Sequence, residues 1–282
     1  MKFRAVIRES SSMRDFLNIA TTLSKCGKDL IFNIRQDVLV IAVNIESPHA
    51  ALPMWCDMEK SFFEEYTMEG LSETHTEIIL TMKSANLVRA LATGRATLPT
   101  FVKLKLVNKN MACLCVEMEI PSSVTEKNRV VTNDVPVTVV SRRDWGHYKL
   151  PEMPEFWMVL SMPPAKDVKP VIETLKNTAP VICIQTTNEG RKGTVSFIAE
   201  SGIWKISCHC REQSITCDPN LEEDENVMSC EIDTKKLALF LTSSQFPNSP
   251  MRCSISPDHL VKFEVEIQGK VTMICIIAAT NE

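Results

Sequence analysis

Residues 2–28 read KFRAVIRESSSMRDFLNIATTLSKCGK and combine two different periodicities. Residues 2–8 alternate in the way that strand residues do. From residue 10 to residue 28 apolar side chains recur at helical spacing, and those that share one face are Met13, Phe16, Leu17, Ala20 and Leu23. We therefore predict a strand followed by an amphipathic helix, with an N-cap among the serines at 10–12 and a stop at Gly27.

The same order of elements, a strand, a helix and three strands, recurs four times along the chain. Strands are predicted at 29–35, 38–45, 50–58, 77–82, 101–107, 111–120, 129–140, 156–162, 181–187, 194–200, 203–211, 227–232, 252–256, 260–267 and 270–278. The further helices are predicted at 84–93, 165–178 and 234–244. Four such units indicate a repeat. The alternative is an α+β protein whose elements recur by coincidence.

A segment that is typical of a linker separates the second unit from the third. It spans 141–155 and reads SRRDWGHYKLPEMPE, with two prolines, a glycine and mixed charge. We therefore predict an α+β fold made of two similar domains, 1–140 and 156–282, each containing two strand–helix–three-strand units. Segment 141–155 is the predicted interdomain connecting loop.

Composition excludes some classes of protein. The 282 residues are 44% hydrophobic and include no run of 18 apolar residues, so no membrane span is expected. The N-terminal MKFRAVIRES lacks the apolar stretch of a signal peptide. Eleven cysteines without a secretory signal indicate a reducing compartment and free thiols.

Charge is distributed unevenly between the predicted helices and the remainder of the chain. Four acidic residues, Asp15, Asp167, Glu173 and Asp233, lie within or beside the helices, against eleven basic ones. The helices thus carry +7 and the remainder −11, in a chain of net charge −4. The basic residues are Arg14, Lys25, Lys28, Lys83, Arg89, Arg95, Lys166, Lys169, Lys176, Lys235 and Lys236. They are either ordinary solvated helix faces or a surface that attracts nucleic-acid phosphates without reading sequence.

Several motifs occur in a particular order along the first domain. They are MKFRA at 1–5, MWC at 54–56, FF at 62–63, MEG at 68–70, SANLVRAL at 84–91, KLKLVNK at 103–109 and RVVTNDVPVTVV at 129–140. With the repeated units and the linker, they resemble the DNA sliding clamps, and most closely the Hus-one-type subunits of the nine-one-one checkpoint clamp. The second domain resembles that family in pattern and length, with fewer identities.

The resemblance implies a non-catalytic subunit, without cofactor or metal, that joins two other checkpoint clamp subunits in a heterotrimeric ring. In such rings helices line the hole around double-stranded DNA, and sheets form the outside and the joints. An ATP-dependent clamp loader places the ring at damaged or stalled DNA. The ring then supports the DNA damage checkpoint and recruits repair enzymes through the interdomain loop. The implied location is the nucleus.

The resemblance also implies roles for particular residues. By unit order, the edge strands that pair with neighbouring subunits would be 111–120 and 203–211. The interface residues would then be Met111, Cys113, Cys115, Glu117, Ile203, Lys205, Ser207 and His209. In the linker, Trp145 and Tyr148 would either dock partner proteins or pack onto their own sheet.

Two other functions compete with a checkpoint clamp: a homotrimeric replication clamp, and an α+β enzyme with an unrecognised site. The five histidines do not form HExxH, and the chain has no phosphate-binding GxxxxGK[ST] loop. Cys208, His209 and Cys210 suggest zinc at first sight. However, consecutive strand residues face opposite sides, so His209 is expected to point away from both thiols.

The paired aromatics Phe62 and Phe63 belong to the stretch MWCDMEKSFFEEYTMEG at 54–70. They suggest a clamp-binding peptide, but Cys56 and Glu59 stand where such peptides carry a glutamine and an aliphatic residue. We expect Phe62, Phe63 and Tyr66 instead to pack where the first unit joins the second.

Overall fold

The structure is a computed structural model that describes residues 1–70, 76–108, 110–122, 128–190, 192–217 and 226–280. The chain divides into two compact units. The first contains Met1–Leu150 with Gln268–Thr272, and the second contains Pro151–Ile267 with Met273–Glu282. Both units are rich in antiparallel strands and carry helices, so the predicted α+β class is confirmed.

The first unit begins with a strand and a long helix, as the periodicity predicts. Its elements are β1 (Lys2–Ile7), α1 (Ser10–Cys26), β2 (Asp29–Ile34), β3 (Val38–Val43), β4 (Met54–Glu59), β5 (Glu65–Glu69), β6 (Ile78–Lys83), α2 (Ser84–Leu91), α3 (Thr93–Ala96), β7 (Phe101–Asn108), β8 (Ala112–Ile120), β9 (Arg129–Pro136) and β10 (Thr138–Val139). Short 3-10 helices span Lys60–Phe62 and Arg142–Tyr148. The strands form two runs, ordered β5-β1-β7-β8-β9 and β10-β6-β2-β3-β4.

The second unit repeats the sequence of a strand, a helix and several strands. Its elements are β11 (Met158–Met162), α4 (Ala165–Thr178), β12 (Val181–Asn188), β13 (Lys192–Ser201), β14 (Trp204–Cys217), β15 (Val227–Asp233), α5 (Thr234–Ser243), β16 (Met251–Ser256), β17 (Leu260–Ile267) and β18 (Val271–Ala278). Their hydrogen-bonded order is β18-β17-β16-β11-β14-β13-β12-β15.

Each unit covers its sheet with a pair of helices. In the first unit α1 packs on α2 and on β2–β4, with Phe16, Ile19 and Leu23 fully buried. In the second unit α4 packs on α5, and Val168, Ile172 and Leu175 are the buried face of α4. The apolar stripe of each helix therefore faces the core, and most of its charged side chains lie at the surface.

Gly27 follows α1 because the chain passes close to β3 at that point. A Cβ atom there would lie 2.4 Å from Cγ1 of Val43, closer than any real contact. Its backbone is extended, so proximity rather than dihedral freedom requires glycine. The predicted stop of α1 is confirmed, but the predicted cap is wrong. The N-cap is Glu9, whose carboxylate accepts hydrogen bonds from Ser11 Oγ at 2.7 Å and Ser12 Oγ at 3.2 Å.

The predicted connection after β4 contains a strand that the sequence pattern does not indicate. In β5, Glu65–Glu69, only Tyr66 is buried, and charged residues surround it. Three ion pairs tie this region to β1 and its end: Lys2–Glu69 at 2.9 Å, Arg4–Glu65 at 2.8 Å and Arg8–Glu64 at 3.1 Å. Cross-strand pairing of opposite charges therefore supports a strand that has little apolar pattern.

The aromatic residues of this region pack internally, as predicted. Phe62, Phe63 and Tyr66 are buried, and the Phe62 and Phe63 rings meet edge to face with centroids 5.2 Å apart. Tyr66 packs on Phe3 and donates its hydroxyl to the carbonyl of Arg35 at 2.7 Å. The stretch thus joins the β1 sheet to the β2–β3 turn.

The predicted strand 129–140 is two strands that belong to different sheets. β9 ends at Pro136 in the run that contains β1, and β10 begins at Thr138 against β6. Proline has no N–H to donate, so it suits the point where the chain leaves a sheet. Val137 bridges the two strands by donating to the carbonyl of Ala112 at 3.1 Å.

Candidate functional site: basic helix faces and free strand edges

The basic residues of the first unit lie at the surface of the α1–α2 pair. Arg14 and Lys25 project from α1, Lys28 follows its end, and Arg89 projects from α2, all four exposed. Lys83, the N-cap of α2, differs because its Nζ lies 2.5 Å from Oδ1 of Asp29. This contact lowers the pKa of Asp29, so Lys83 is already paired with a carboxylate.

The second unit presents basic residues on the α4–α5 pair. Lys166 and Lys169 are exposed on α4, and Lys235 and Lys236 are exposed in the first turn of α5. Lys176 is half-buried, and its Nζ lies 2.8 Å from Oε2 of Glu173. In the described part of the chain, ion pairs within 4 Å occupy Lys83 and Lys176 among the predicted DNA-facing residues.

Glu173 is a carboxylate in the middle of the basic face of the second unit. It accepts hydrogen bonds from Lys176 Nζ at 2.8 Å and from Thr242 Oγ1 of α5 at 3.1 Å. These two hydrogen bonds lower the pKa of Glu173. The ionised carboxylate therefore both links α4 to α5 and neutralises Lys176.

Two further residues lie on the first unit's helices, the predicted DNA-facing Arg95 and the acidic Asp15. The side chain of Arg95 lies outside the described residues. Asp15, on the surface side of α1, is half-buried, and its Oδ2 has no hydrogen-bond partner among the described residues. Burial raises the pKa of Asp15. This helix thus carries a carboxylate that is poorly solvated beside the exposed Arg14.

The expectation that 111–120 is an edge strand is wrong. β8 is hydrogen-bonded to β7 on one side and to β9 on the other, so it is an inner strand. Of the residues predicted there, Met111 is exposed, Cys113 is buried, Cys115 is half-buried, and Glu117 binds Lys103 at 3.1 Å. The outer strand on this side of the sheet is β9, which pairs with β8 alone among the described strands; β5 is the outer strand on the opposite side.

β9 has the features of an accessible edge. Exposed and half-buried residues alternate along Arg129–Pro136, with only Val135 buried, and Val130 is 58% exposed. The Asn133 side chain binds the α2 carbonyl of Ala90 at 3.1 Å. The proline that ends this strand suits an edge position, but the alternation of residues does not separate β9 from β8.

β14 is free along its first half only. Trp204–Cys210 pairs with β13, while residues 215–217 also pair with β11. The register slips by one residue between these halves, and Glu212 adopts φ 62°, which marks a β-bulge. The predicted edge 203–211 therefore does contain a free edge.

The side chains predicted on β14 are exposed. Ile203 precedes the strand at the hairpin tip and is 92% exposed, and Lys205 pairs with Glu200 at 2.8 Å. His209 lies 2.8 Å from Ser196 Oγ through Nδ1 and 3.0 Å from Ser207 Oγ through Nε2. Their role at a subunit interface remains a prediction.

The register also separates His209 from the neighbouring thiols. His209 is opposite Ser196, whereas Cys208 and Cys210 are opposite Phe197 and Val195 on the other face of the sheet. The strand alternation predicted this separation. Among the described residues, no group of three or more His, Cys, Asp and Glu side chains is arranged to hold a metal ion.

The linker aromatics lie in the 3-10 helix Arg142–Tyr148. The indole Nε1 of Trp145 donates to the carbonyl of Val140 at 3.2 Å, and both Trp145 and Tyr148 are half-buried. His147 Nδ1 lies 3.6 Å from Oε1 of Glu46. The indole donor therefore ties the linker to Val140 at the end of the preceding segment, whose own N–H donates to the carbonyl of Ile79 of β6, and partner docking by the exposed parts of the two rings remains a prediction.

These features define a class of protein: an antiparallel α+β chain with two helix pairs that expose unpaired basic residues, and with free strand edges. No helix in the described part of the chain is long and apolar enough to span a membrane. The profile of the family described as Hus1-like protein matches residues 1–281. The chain belongs to the Hus1-like family.

Curated relatives match over nearly their whole length. The Drosophila melanogaster protein named Checkpoint protein Hus1-like is 28% identical over 281 residues, 99% of each chain. Human Checkpoint protein HUS1 is 30% identical over 271 residues, 94% of this chain and 95% of the human one. The Dictyostelium discoideum protein named Checkpoint protein hus1 homolog is 23% identical over 257 residues, 90% of each.

Proposed function

We propose that this chain is a non-catalytic subunit of a heterotrimeric, ring-shaped DNA clamp that acts in the DNA damage checkpoint. The observation that carries the proposal is the match to the Hus1-like family across residues 1–281, with relatives named as checkpoint proteins. The two compact units would be two clamp domains joined by the linker. The order of strand, helix and strands that begins both units supports this reading.

Double-stranded DNA would be held by the helix pairs, without reading of its sequence. Eight exposed basic residues have no ion pair among the described residues: Arg14, Lys25, Lys28, Arg89, Lys166, Lys169, Lys235 and Lys236. Basic side chains on a surface bind phosphates by releasing counterions, and this binding weakens steeply as salt rises. The acidic remainder of the chain disfavours nucleic acid elsewhere.

The ring would close through strand addition at two edges. β9 in the first unit and the first half of β14 in the second have no second partner strand among the described strands, and a neighbour's strand can extend such an edge by main-chain hydrogen bonds. The interface strand of the first unit is therefore β9 rather than the predicted 111–120. An ATP-dependent loader would place the ring on DNA in the nucleus. Repair enzymes would dock near Trp145 and Tyr148.

The decisive experiment is a mass measurement of the particle formed with two candidate partner clamp subunits. A single species with one copy of each subunit is expected. After an ATP-dependent clamp loader has placed it on nicked circular DNA, the particle should stay bound. It should slide off when the circle is linearised. A particle with three copies of this chain would identify a homotrimeric clamp instead, and a chain that joins no partner would refute the proposal.

A further inference from the structure

A cavity of about 380 Å³ lies in the first unit at the end of the free edge β9. Its apolar lining residues are Met82, Met111, Pro136 and Val137. Its polar lining residues are Thr81, Thr138, Asn86 of α2 and the Asp29–Lys83 pair. Met111 is 59% exposed although the residues after it enter an inner strand. The cavity therefore combines an exposed apolar contact with hydrogen-bonding groups, and its volume falls within the range of ligand pockets.

A second exposed apolar residue lies at a hairpin tip in the second unit. Ile203 is 92% exposed, and it follows Gly202 in the turn between β13 and β14. The free half of β14 begins at the next residue, Trp204. The tip of this hairpin thus carries a large apolar side chain immediately before a free edge strand.

Strand direction determines where such a tip would lie on a neighbour. Both edge strands belong to antiparallel pairs, β9 with β8 and β14 with β13. Because antiparallel pairs are the commoner kind, we take a strand added by a neighbour to be antiparallel as well. In an antiparallel pair the start of one strand lies beside the end of the other. A strand of the β14 type added to β9 would therefore bring its preceding hairpin tip to Pro136, where the cavity opens. In a parallel pair the tip would lie about 23 Å away, at Arg129, given about 3.3 Å per residue.

We propose that this cavity is a socket for the apolar hairpin tip of the neighbouring clamp subunit. The proposal rests on the clamp function proposed above and adds the segment of the partner that this subunit recognises. The apolar side chain packs against Met111, Pro136 and Val137. The exposed main chain of the tip is offered hydrogen bonds by Asn86 and Thr138, which line the same cavity. In the same way, Ile203 of this chain enters the corresponding position of its other neighbour.

The mixed lining favours a hairpin tip over a purely apolar ligand. A hairpin tip has main-chain N–H and C=O groups that are not used in its own ladder, and burying them without partners is costly. Asn86 and Thr138 supply donors and acceptors in the cavity lining. Asp29 and Lys83, which also line it, form an ion pair rather than a single unpaired charge.

A photo-crosslinking residue at position 111 tests the assignment directly. The chain carrying it is assembled with two partner clamp subunits and irradiated, and the adducts are mapped by mass spectrometry. The expected adduct is with one partner, on the hairpin that precedes its β14-type strand. The same crosslinker at Val227, which is 53% exposed on β15, is the matched control and should yield no such adduct. An adduct elsewhere on a partner would overturn the assignment, as would no adduct in an assembled ring.

Substitution of Met111 in the socket, or of Ile203 at the hairpin tip, measures how much each contributes to association with a partner. Met111→Glu changes an exposed side chain, so the fold should survive, and an unchanged melting temperature checks this. We expect Met111→Glu to weaken association with one partner by roughly tenfold, as the loss of a central apolar contact does. Ile203→Glu should weaken association with the other partner to a similar extent. If the unsubstituted chain fails to assemble, the clamp proposal itself is wrong. If it assembles and Met111→Glu assembles equally well, only the socket is refuted.

Discussion

The two helix pairs carry basic residues in different settings. On α1–α2 the paired lysine is Lys83, whose partner Asp29 lies at the start of β2. On α4–α5 the paired lysine is Lys176, whose partner Glu173 stands on the same helix and also holds Thr242 of α5. The number of basic residues on a helix therefore overstates the charge that is available to the DNA of the proposed ring. The second unit uses part of its charge to join its helices.

Reversal of unpaired basic charges should have the largest effect on retention on DNA, and this effect should be similar for the two units. We expect Lys25→Glu with Lys28→Glu, and separately Lys166→Glu with Lys169→Glu, to reduce retention on DNA by roughly tenfold or more. The salt dependence should become flatter by about two in the log–log slope, because each pair removes two phosphate contacts. The measurement is filter or fluorescence binding of the assembled ring over a salt series.

Lys60→Glu with Lys105→Glu provides the control, since both residues are exposed and lie outside the basic helix faces. It changes net charge by the same amount and should leave the slope nearly unchanged. If only one unit's reversal weakens retention, the helix pairs do not share the same role.

The next effect distinguishes a paired lysine from an unpaired one. Lys169→Ala should flatten the salt slope by about one, whereas Lys176→Ala should change it little, because Glu173 already neutralises Lys176. Glu173→Gln should do the opposite and steepen the slope by about one, because it releases Lys176. Equal slopes for the two alanine variants would mean that the Glu173–Lys176 pair opens when DNA binds.

The two helix pairs also differ in how their second helix begins. α5 is capped by Asp233, whose Oδ1 accepts from the main-chain N–H of Lys235 at 2.7 Å and of Lys236 at 3.3 Å. α2 begins after Lys83 without a side-chain cap. Asp233→Ala should therefore cost about 1 kcal/mol of unfolding free energy, measured by urea titration. Asp233→Asn keeps a capping oxygen and should cost much less; an equal loss would show that charge matters more than the cap.

The smallest effect concerns Asp15, the poorly solvated carboxylate of α1. Since burial raises its pKa, the folded state binds the proton more tightly than the unfolded state does. Stability of the natural chain therefore falls as pH rises from the ordinary pKa of 3.8 through the raised value. Asp15→Asn should remove this loss and stabilise the protein at neutral pH by up to about 1 kcal/mol. Thermal unfolding at several pH values should show the gain fading below that range; a gain that persists there would have another cause.

Sequence periodicity predicts the long helices well and the short charged strand poorly. α4 begins and ends where its apolar spacing predicts, and α1 ends at Gly27 as expected. β5 escapes prediction because cross-strand ion pairs support it, and their partners on β1 are about sixty residues away. The division of 129–140 at Pro136 is signalled by the proline, but the alternation continues through it, so pattern alone favours one strand.

The sequence predicts the positive charge of the helix faces, but neither all of their ion pairs nor the edge strand. Helical spacing places the basic residues on surfaces, and all the described ones except Lys176 are exposed. The Lys83 pair depends on Asp29 of another element, which is a tertiary fact, whereas Glu173 and Lys176 are three residues apart on one helix, a spacing that the sequence shows. The predicted edge strand lies one strand too early, at β8. Which of two consecutive strands is the outer one depends on sheet order, which residue pattern does not encode.

The bulge at Glu212 limits how long a joint at β14 can be. Beyond it the strand soon gains β11 as a second partner, so an added strand cannot follow it further. The open stretch Trp204–Cys210 spans about 23 Å at about 3.3 Å per residue. Any intersubunit strand pair formed there is therefore short and has few main-chain hydrogen bonds. Side-chain contacts must supply the remainder of the binding free energy. In the proposed ring, one strand pair of this kind would part before either subunit unfolds.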